Sequence, residues 1–200
     1  MKAPNWTLRL LSIVACSACA LGVSAYDTYA ADALTSSSVQ KDAGLQVNGH
    51  GVRRVAAAGT PLYAATLYLG QPTADPQEIM ANRGTKHFRI VLLQDVKASQ
   101  LTQLVGQGLA ANASNDDLST LVSEIFEVGM MLSDQGTLAA GDSIEVVSSP
   151  VNGTTVRLHT AKPDELSFAN PQFFKAMMAI WLGDQPADIG LKRALLGRTG

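Results

Sequence analysis

The chain has 200 residues, 46% of them hydrophobic and 16% charged. That is apolar material for one packed domain and too much for a chain disordered throughout. Its 15 Lys+Arg against 17 Asp+Glu give a formal net charge of −2, which leaves no basic excess to neutralise a nucleic-acid backbone.

Lys2 and Arg9 make a positive start, Leu10 to Val23 is uncharged and mostly apolar, and small residues follow. Charge, a short greasy helix and a small-residue motif read as a secretory signal peptide, cleaved after Ala25, with Thr28-Tyr29-Ala30 a second cleavage motif. An apolar run of about 14 residues is short of the roughly 20 that span a bilayer, so a stable membrane span is not expected in the mature form. The expected location is the periplasm or the secreted medium. Both cysteines, Cys16 and Cys19, fall in this segment. Lipidation at Cys16 is the minor alternative; cleavage after Ala25 leaves no cysteine for a disulfide, a thiolate nucleophile or a metal. It also removes Lys2 and Arg9 and no acid, so the mature chain is more acidic still.

Residues 26–44 are rich in Ala, Ser, Thr and Asp without apolar period and read as a flexible leader. One domain is expected over residues 45–197. Leu45-Gln46-Val47 alternates, Asn48-Gly49 is a two-residue turn signal, and Val52 to Val55 reads as the returning strand. Gly59-Thr60-Pro61 is a second turn. Leu62 to Leu69 (LYAATLYL) is apolar almost throughout, as in a strand covered on both faces. Asp75 to Asn82 reads as a short helix capped by Thr73, and Lys86 to Leu93 as a strand. Two helices follow. The first shows Leu101, Leu104, Val105 and Gly108 on one face. The second is capped by Asp116 or Asp117 and carries a stripe of Leu118, Leu121, Val122, Ile125 and Phe126. Ser143 to Ser148 and Thr154 to Thr160 form a hairpin pair around Pro150 to Gly153. Pro171 opens a helix that ends at Gly183, and a last short helix holds Leu191, Ala194 and Leu195. Strands, helices, strands, helices make an α+β fold: a large antiparallel sheet backed by helices on one face.

Motifs for common chemistries are missing: no G-x-S-x-G, no Walker loop, no G-x-G-x-x-G, no H-E-x-x-H. His50, His87 and His159 have no second ligand at helical spacing and read as solvated or sheet-edge residues, so no metal and no cofactor is expected. Met130-Met131 and Met177-Met178 read as core filler or as an adaptable pocket lining. Arg53 and Arg54 precede the most apolar strand, which Tyr63 opens. A guanidinium fork grips a carboxylate through two parallel hydrogen bonds, and a buried tyrosine needs a partner for its hydroxyl. Which arginine points inward is open on sequence.

Gly49-His50-Gly51-Val52-Arg53, Leu62 to Leu69, Phe173 to Asp184 (FFKAMMAIWLGD) and Leu191 to Gly197 (LKRALLG) together resemble the chalcone isomerase-like family, in its secreted bacterial branch, over residues 45–197. The resemblance implies an open-faced β-sandwich with a ligand cleft between sheet and helices. It also implies three kinds of relative: plant isomerases, plastid fatty-acid binders, and bacterial proteins mostly without an assigned role. Arg53 matches the family's cleft arginine. Tyr63 falls where the isomerases carry a threonine and the fatty-acid binders a tyrosine. Two departures count against isomerase chemistry. Lys97-Ala98-Ser99-Gln100 stands where the plant enzyme has a tyrosine, and Ile180 stands where it has Ser or Thr. The expected partner is therefore a fatty acid or similar apolar carboxylate, held by Arg53 and Tyr63 with its tail among Leu67, Leu101, Leu104, Val105, Ile125 and Met178. A chalcone-type intramolecular lyase and a structural or partner-binding envelope protein are the alternatives.

Overall fold

The computed structural model describes residues 44–55, 59–81 and 83–198. The expected signal peptide, its cleavage motifs, Cys16, and the leader up to residue 43 lie outside the described residues.

Six strands form one antiparallel sheet: β1 (Gln46–Val55), β2 (Thr60–Leu69), β3 (Lys86–Leu92), β6 (Ser143–Ser149), β7 (Gly153–His159) and β8 (Asp164–Phe168), side by side in that order. Two meanders are thus joined where β3 pairs with β6. The chain between them holds a two-stranded ribbon, β4 (Val96–Lys97) and β5 (Thr137–Leu138), and three helices: α2 (Ala98–Asn112), α3 (Asn115–Thr120) and α4 (Val122–Ser133). Helix α1 (Pro76–Ala81) links β2 to β3, and α5 (Pro171–Leu182) and α6 (Ile189–Leu195) close the chain. The α+β architecture with helices backing one face is as the sequence predicts.

Alternation along the strands sorts the two faces. Phe88, Ile90 and Leu92 of β3 look toward the helices beside Leu67, Ala65 and Tyr63 of β2, and Val146 and Ile144 of β6 continue the layer. Helices α2, α4 and α5 bury their apolar sides against it. Asn170 caps α5 through Gln172 N–H (3.0 Å), Pro171 supplies the first turn, and Gly183 ends the helix.

The expected turn at Asn48-Gly49 does not exist. β1 runs straight through, with a register shift between Val47 and Gly49. Turn chemistry here serves a packing purpose. Asn48 Nδ2 donates to the Leu195 carbonyl (2.8 Å), and its Oδ1 accepts from Thr73 N–H (2.7 Å). A Cβ on Gly49 would lie 2.1 Å from the Ala194 carbonyl oxygen, so only glycine lets α6 press onto the sheet. Of the second expected turn, Gly59-Thr60-Pro61, Gly59 alone is a turn residue, its φ of 63° suiting glycine, and Thr60 and Pro61 already pair within β2.

Three further differences have local causes. The second predicted helix is two helices, because Leu121 leaves helical geometry (φ −116°, ψ 7°). The helical phase is therefore interrupted. Leu121 is buried, and Leu118 and Ile125 pack on the core, but Val122 and Phe126 are 63% and 66% exposed. The cap is Ser114, in a reciprocal capping box with Asp117, and neither predicted aspartate. In α1, Asp75 Oδ1 accepts from Gln77 N–H (2.8 Å), while Thr73 supports it by accepting from Asp75 N–H (3.2 Å). Strand β8 is not expected from sequence: its polar edge sequence DELSF buries Phe168 and packs Leu166 against the core, and its other residues are exposed.

On the opposite face, His87, Arg89, Glu145 and His159 meet. Glu145 Oε2 lies 3.6 Å from His87 Nε2 and 3.3 Å from His159 Nε2, and its Oε1 lies 3.6 Å from Arg89 Nε. His87 is fully buried in mid-sheet, against the expectation of a solvated or edge residue; the period of two carries it under its neighbours and onto Tyr68, ring centroids 5.2 Å apart. His50 is exposed and His159 half-exposed, as expected.

Candidate ligand site

Arg53 and Tyr63 are cross-strand partners in β1 and β2. A second register shift separates Arg53 from Arg54, and it resolves which arginine enters the fold. Arg54 is exposed and folds back on Gly59, donating from Nη1 to its carbonyl (3.0 Å). Arg53 turns inward, with Nη1 3.4 Å from Tyr63 Oη and its guanidinium carbon 5.8 Å from the tyrosine ring centre.

Tyr63 is buried, and its hydroxyl also accepts from Trp181 Nε1 of α5 (2.7 Å). Trp181 is set in turn by Phe88, whose ring centroid is 4.6 Å away. The tyrosine oxygen accepts twice, which leaves its proton to be donated to an incoming acceptor. Burial raises the Tyr63 pKa above the ordinary phenol value, outweighing the opposing pull of Arg53, so the group is a neutral donor at physiological pH. Arg53 Nε is buried and makes no hydrogen bond. Among the described residues no carboxylate lies within 4.0 Å of the Arg53 guanidinium. Two donors, the Tyr63 hydroxyl proton and Arg53 Nε, are thus left side by side without an acceptor, an arrangement that costs free energy until one arrives.

They stand at the edge of an apolar cavity of about 50 Å³. The sheet contributes Ile90, Ile144, Val146 and Val156; α2 contributes Leu101, Leu104 and Val105; α4 contributes Val128, Met131 and Leu132; α5 contributes Met177, Ile180 and Trp181. Of the tail residues expected from sequence, Leu101, Leu104 and Val105 line this cavity. Ile125 lines a neighbouring void instead. Leu67 and Met178 line neither and are fully buried in the core. On β2, Leu67 is four residues along from Tyr63, too far down the strand. On α5, Met178 sits about 100° around the helix from Met177, which takes the lining position with Ile180 and Trp181 at i+3 and i+4. One methionine of each pair, Met131 and Met177, faces the cavity.

Trp181 is the residue sequence reasoning passed over. The signal was present as i+4 from Met177, but only the fold shows that its N–H ends on Tyr63. Ile180 brings no hydroxyl, and none of Lys97, Ala98, Ser99 and Gln100 lines the cavity. Three of those four are exposed and Ala98 is buried elsewhere. Among the described residues no cluster of His, Cys, Asp and Glu is arranged to hold a metal, and no helix is long and apolar enough to cross a membrane.

An antiparallel sheet with helices on one face, and a cation at the edge of a cavity between the two layers, defines an open-faced β-sandwich with an interlayer cavity. The family model described as chalcone isomerase-like matches residues 28–197, and the chain belongs to that family. No curated protein matches it in sequence. Among solved structures, the Arabidopsis thaliana fatty-acid binding protein AtFAP1 is similar in fold, with a TM-score of 0.56 at 12% identity, covering 76% of this chain and 87% of the other.

Proposed function

We propose that this protein binds a fatty acid or similar apolar carboxylate without turning it over. The carboxylate would meet Arg53 and the Tyr63 hydroxyl, and the tail would enter the space between the sheet and helices α2, α4 and α5. The observation that carries the reading is the buried, unpartnered Nε of Arg53 beside a neutral phenol at the edge of a wholly apolar cavity. The fold shared with a fatty-acid binding protein supports it. Non-catalytic binding is supported by what the cavity offers a reacting enone: one arginine and one tyrosine, with aliphatic Ile180 where a second hydroxyl would be needed. Export by a cleaved N-terminal signal is part of the same proposal, and mass spectrometry of the mature N-terminus tests it.

The resting cavity is far smaller than the 300 Å³ or more typical of ligand pockets, so binding requires the helical layer to part from the sheet. Each buried methylene contributes about 0.8 kcal/mol, so a twelve-carbon tail gains up to about 9 kcal/mol toward that opening and the cost of association. Unbranched Met131 and Met177 are suited to re-pack around a chain. Displacement of a fluorescent fatty acid from the mature protein tests the reading. Saturable binding that weakens in Arg53→Ala supports it; no binding by wild type, or equal binding by the variant, refutes it.

A further inference from the structure

A second void, of about 110 Å³, lies between α2, α4 and Phe173 of α5. It shares Val105, Val128, Leu132 and Met177 with the cavity beside Arg53, so those four side chains are the partition between them. The far wall holds two glycines inside helices, Gly106 of α2 and Gly129 of α4. A glycine in a helix interior destabilises relative to alanine, so it needs a reason.

Close packing is the reason at Gly108, where a Cβ would stand 2.6 Å from Ile180 Cγ2. It is not the reason at the other two. A Cβ on Gly106 meets no atom within 4 Å, and one on Gly129 meets only Thr102 Cγ2 at an ordinary 3.9 Å. Thr102 ties its hydroxyl back to the Ala98 carbonyl (3.0 Å), which leaves its methyl for the seam. Two helices thus forgo side chains at the same void, and Gly106 is exposed, so the seam reaches the surface there. Apolar surface continues beyond it: Phe126 and Met130, 66% and 49% exposed, follow Ile125 and Gly129 by about 100° around α4.

We infer that the α2–α4 seam is a tail channel. Resting on the carboxylate-binding reading above, the ligand's chain passes from Arg53 across the Met177 partition and between Gly106 and Gly129. The far carbons of a long chain emerge beside Phe126. Chain-length preference is then set by these glycines and not by the sheet.

The test titrates a homologous series of saturated fatty acids, octanoate to stearate, against wild type, Gly106→Leu and Gly129→Leu. Wild-type affinity rises with chain length. Both variants bind octanoate as wild type does and lose at least tenfold on palmitate. An unchanged length dependence in both variants, with wild type still binding, overturns the channel and leaves the carboxylate reading standing. No binding of any member by wild type overturns both. Thermal melts of Gly106→Ala and Gly108→Ala give a readout independent of ligand. The first rises by about 2 °C and the second falls; a fall in both makes Gly106 a packing glycine and sinks the channel.

Discussion

On the sheet face away from the helices, Glu145 gathers two imidazoles and the Arg89 guanidinium, each 3.3–3.6 Å from one of its oxygens. On the helix-covered face, Arg53 reaches, among the described residues, only a tyrosine hydroxyl, at 3.4 Å. Both places hold cationic side chains at least partly withdrawn from water, and the difference lies in the anion. Where the chain supplies the carboxylate, ion-pair contacts hold the cluster together within the fold and its role is structural. Where no described residue supplies it, the cation and its neighbouring phenol are the receptor we propose for a carboxylate brought from outside. A polar cluster in a core is therefore read by asking which partner is absent, not by counting its members.

The strongest way to break this comparison is to exchange the expected consequences. Glu145→Ala leaves His87 buried without its carboxylate and costs about 2–3 kcal/mol of stability by chemical denaturation, with fatty-acid affinity unchanged. Arg53→Met does the opposite: affinity falls about tenfold to a hundredfold, the worth of charged hydrogen bonds, while the melting temperature holds or rises. If Glu145→Ala or Arg53→Met moved both quantities together, the distinction would be erased.

Acid sharpens it. Burial pushes the Glu145 carboxyl up, but the His87 and His159 imidazoles outweigh burial and hold it at about 2, against an ordinary 4.5. The unfolded chain takes up this proton first. The stability Glu145 contributes is therefore complete above about pH 4.5 and is lost as pH falls toward 2. Unfolding free energies from urea titration should decline through that window by about 1–2 kcal/mol more in wild type than in Glu145→Gln, after allowance for solvent screening. The smallest effect is on the receptor side. Trp181→Phe removes one donor to Tyr63, costing about 1 kcal/mol of stability and a fewfold in affinity.

Elements whose pattern carries its own physics were legible in the sequence: the almost wholly apolar β2, the β6–β7 hairpin, and α5 between its proline and glycine. Asn48-Gly49 was misread because turn residues and bulge residues share the same chemistry, and only the approach of α6 separates them. The break at Leu121 has no breaker residue to announce it, so Val122 and Phe126 were assigned to the core. Strand β8 hides in a polar edge. Within the site, Arg53 and Tyr63 could be proposed as a pair by residue type and by family resemblance. The choice of Arg53 over Arg54 depends on a one-residue register shift that no periodicity encodes. The tail residues show the same limit. Leu101, Leu104 and Val105 follow from the helical face, whereas Leu67 and Met178 missed by a few residues along a strand or one step around a helix.

A crystal structure with palmitate bound tests the central claim most directly. The account predicts carboxylate oxygens within about 2.7–3.0 Å of the Arg53 guanidinium and Tyr63 Oη, with α2 and α4 displaced from the sheet around the chain. Palmitate seated elsewhere, or a carboxylate left in solvent with Arg53 Nε still unengaged, would contradict it.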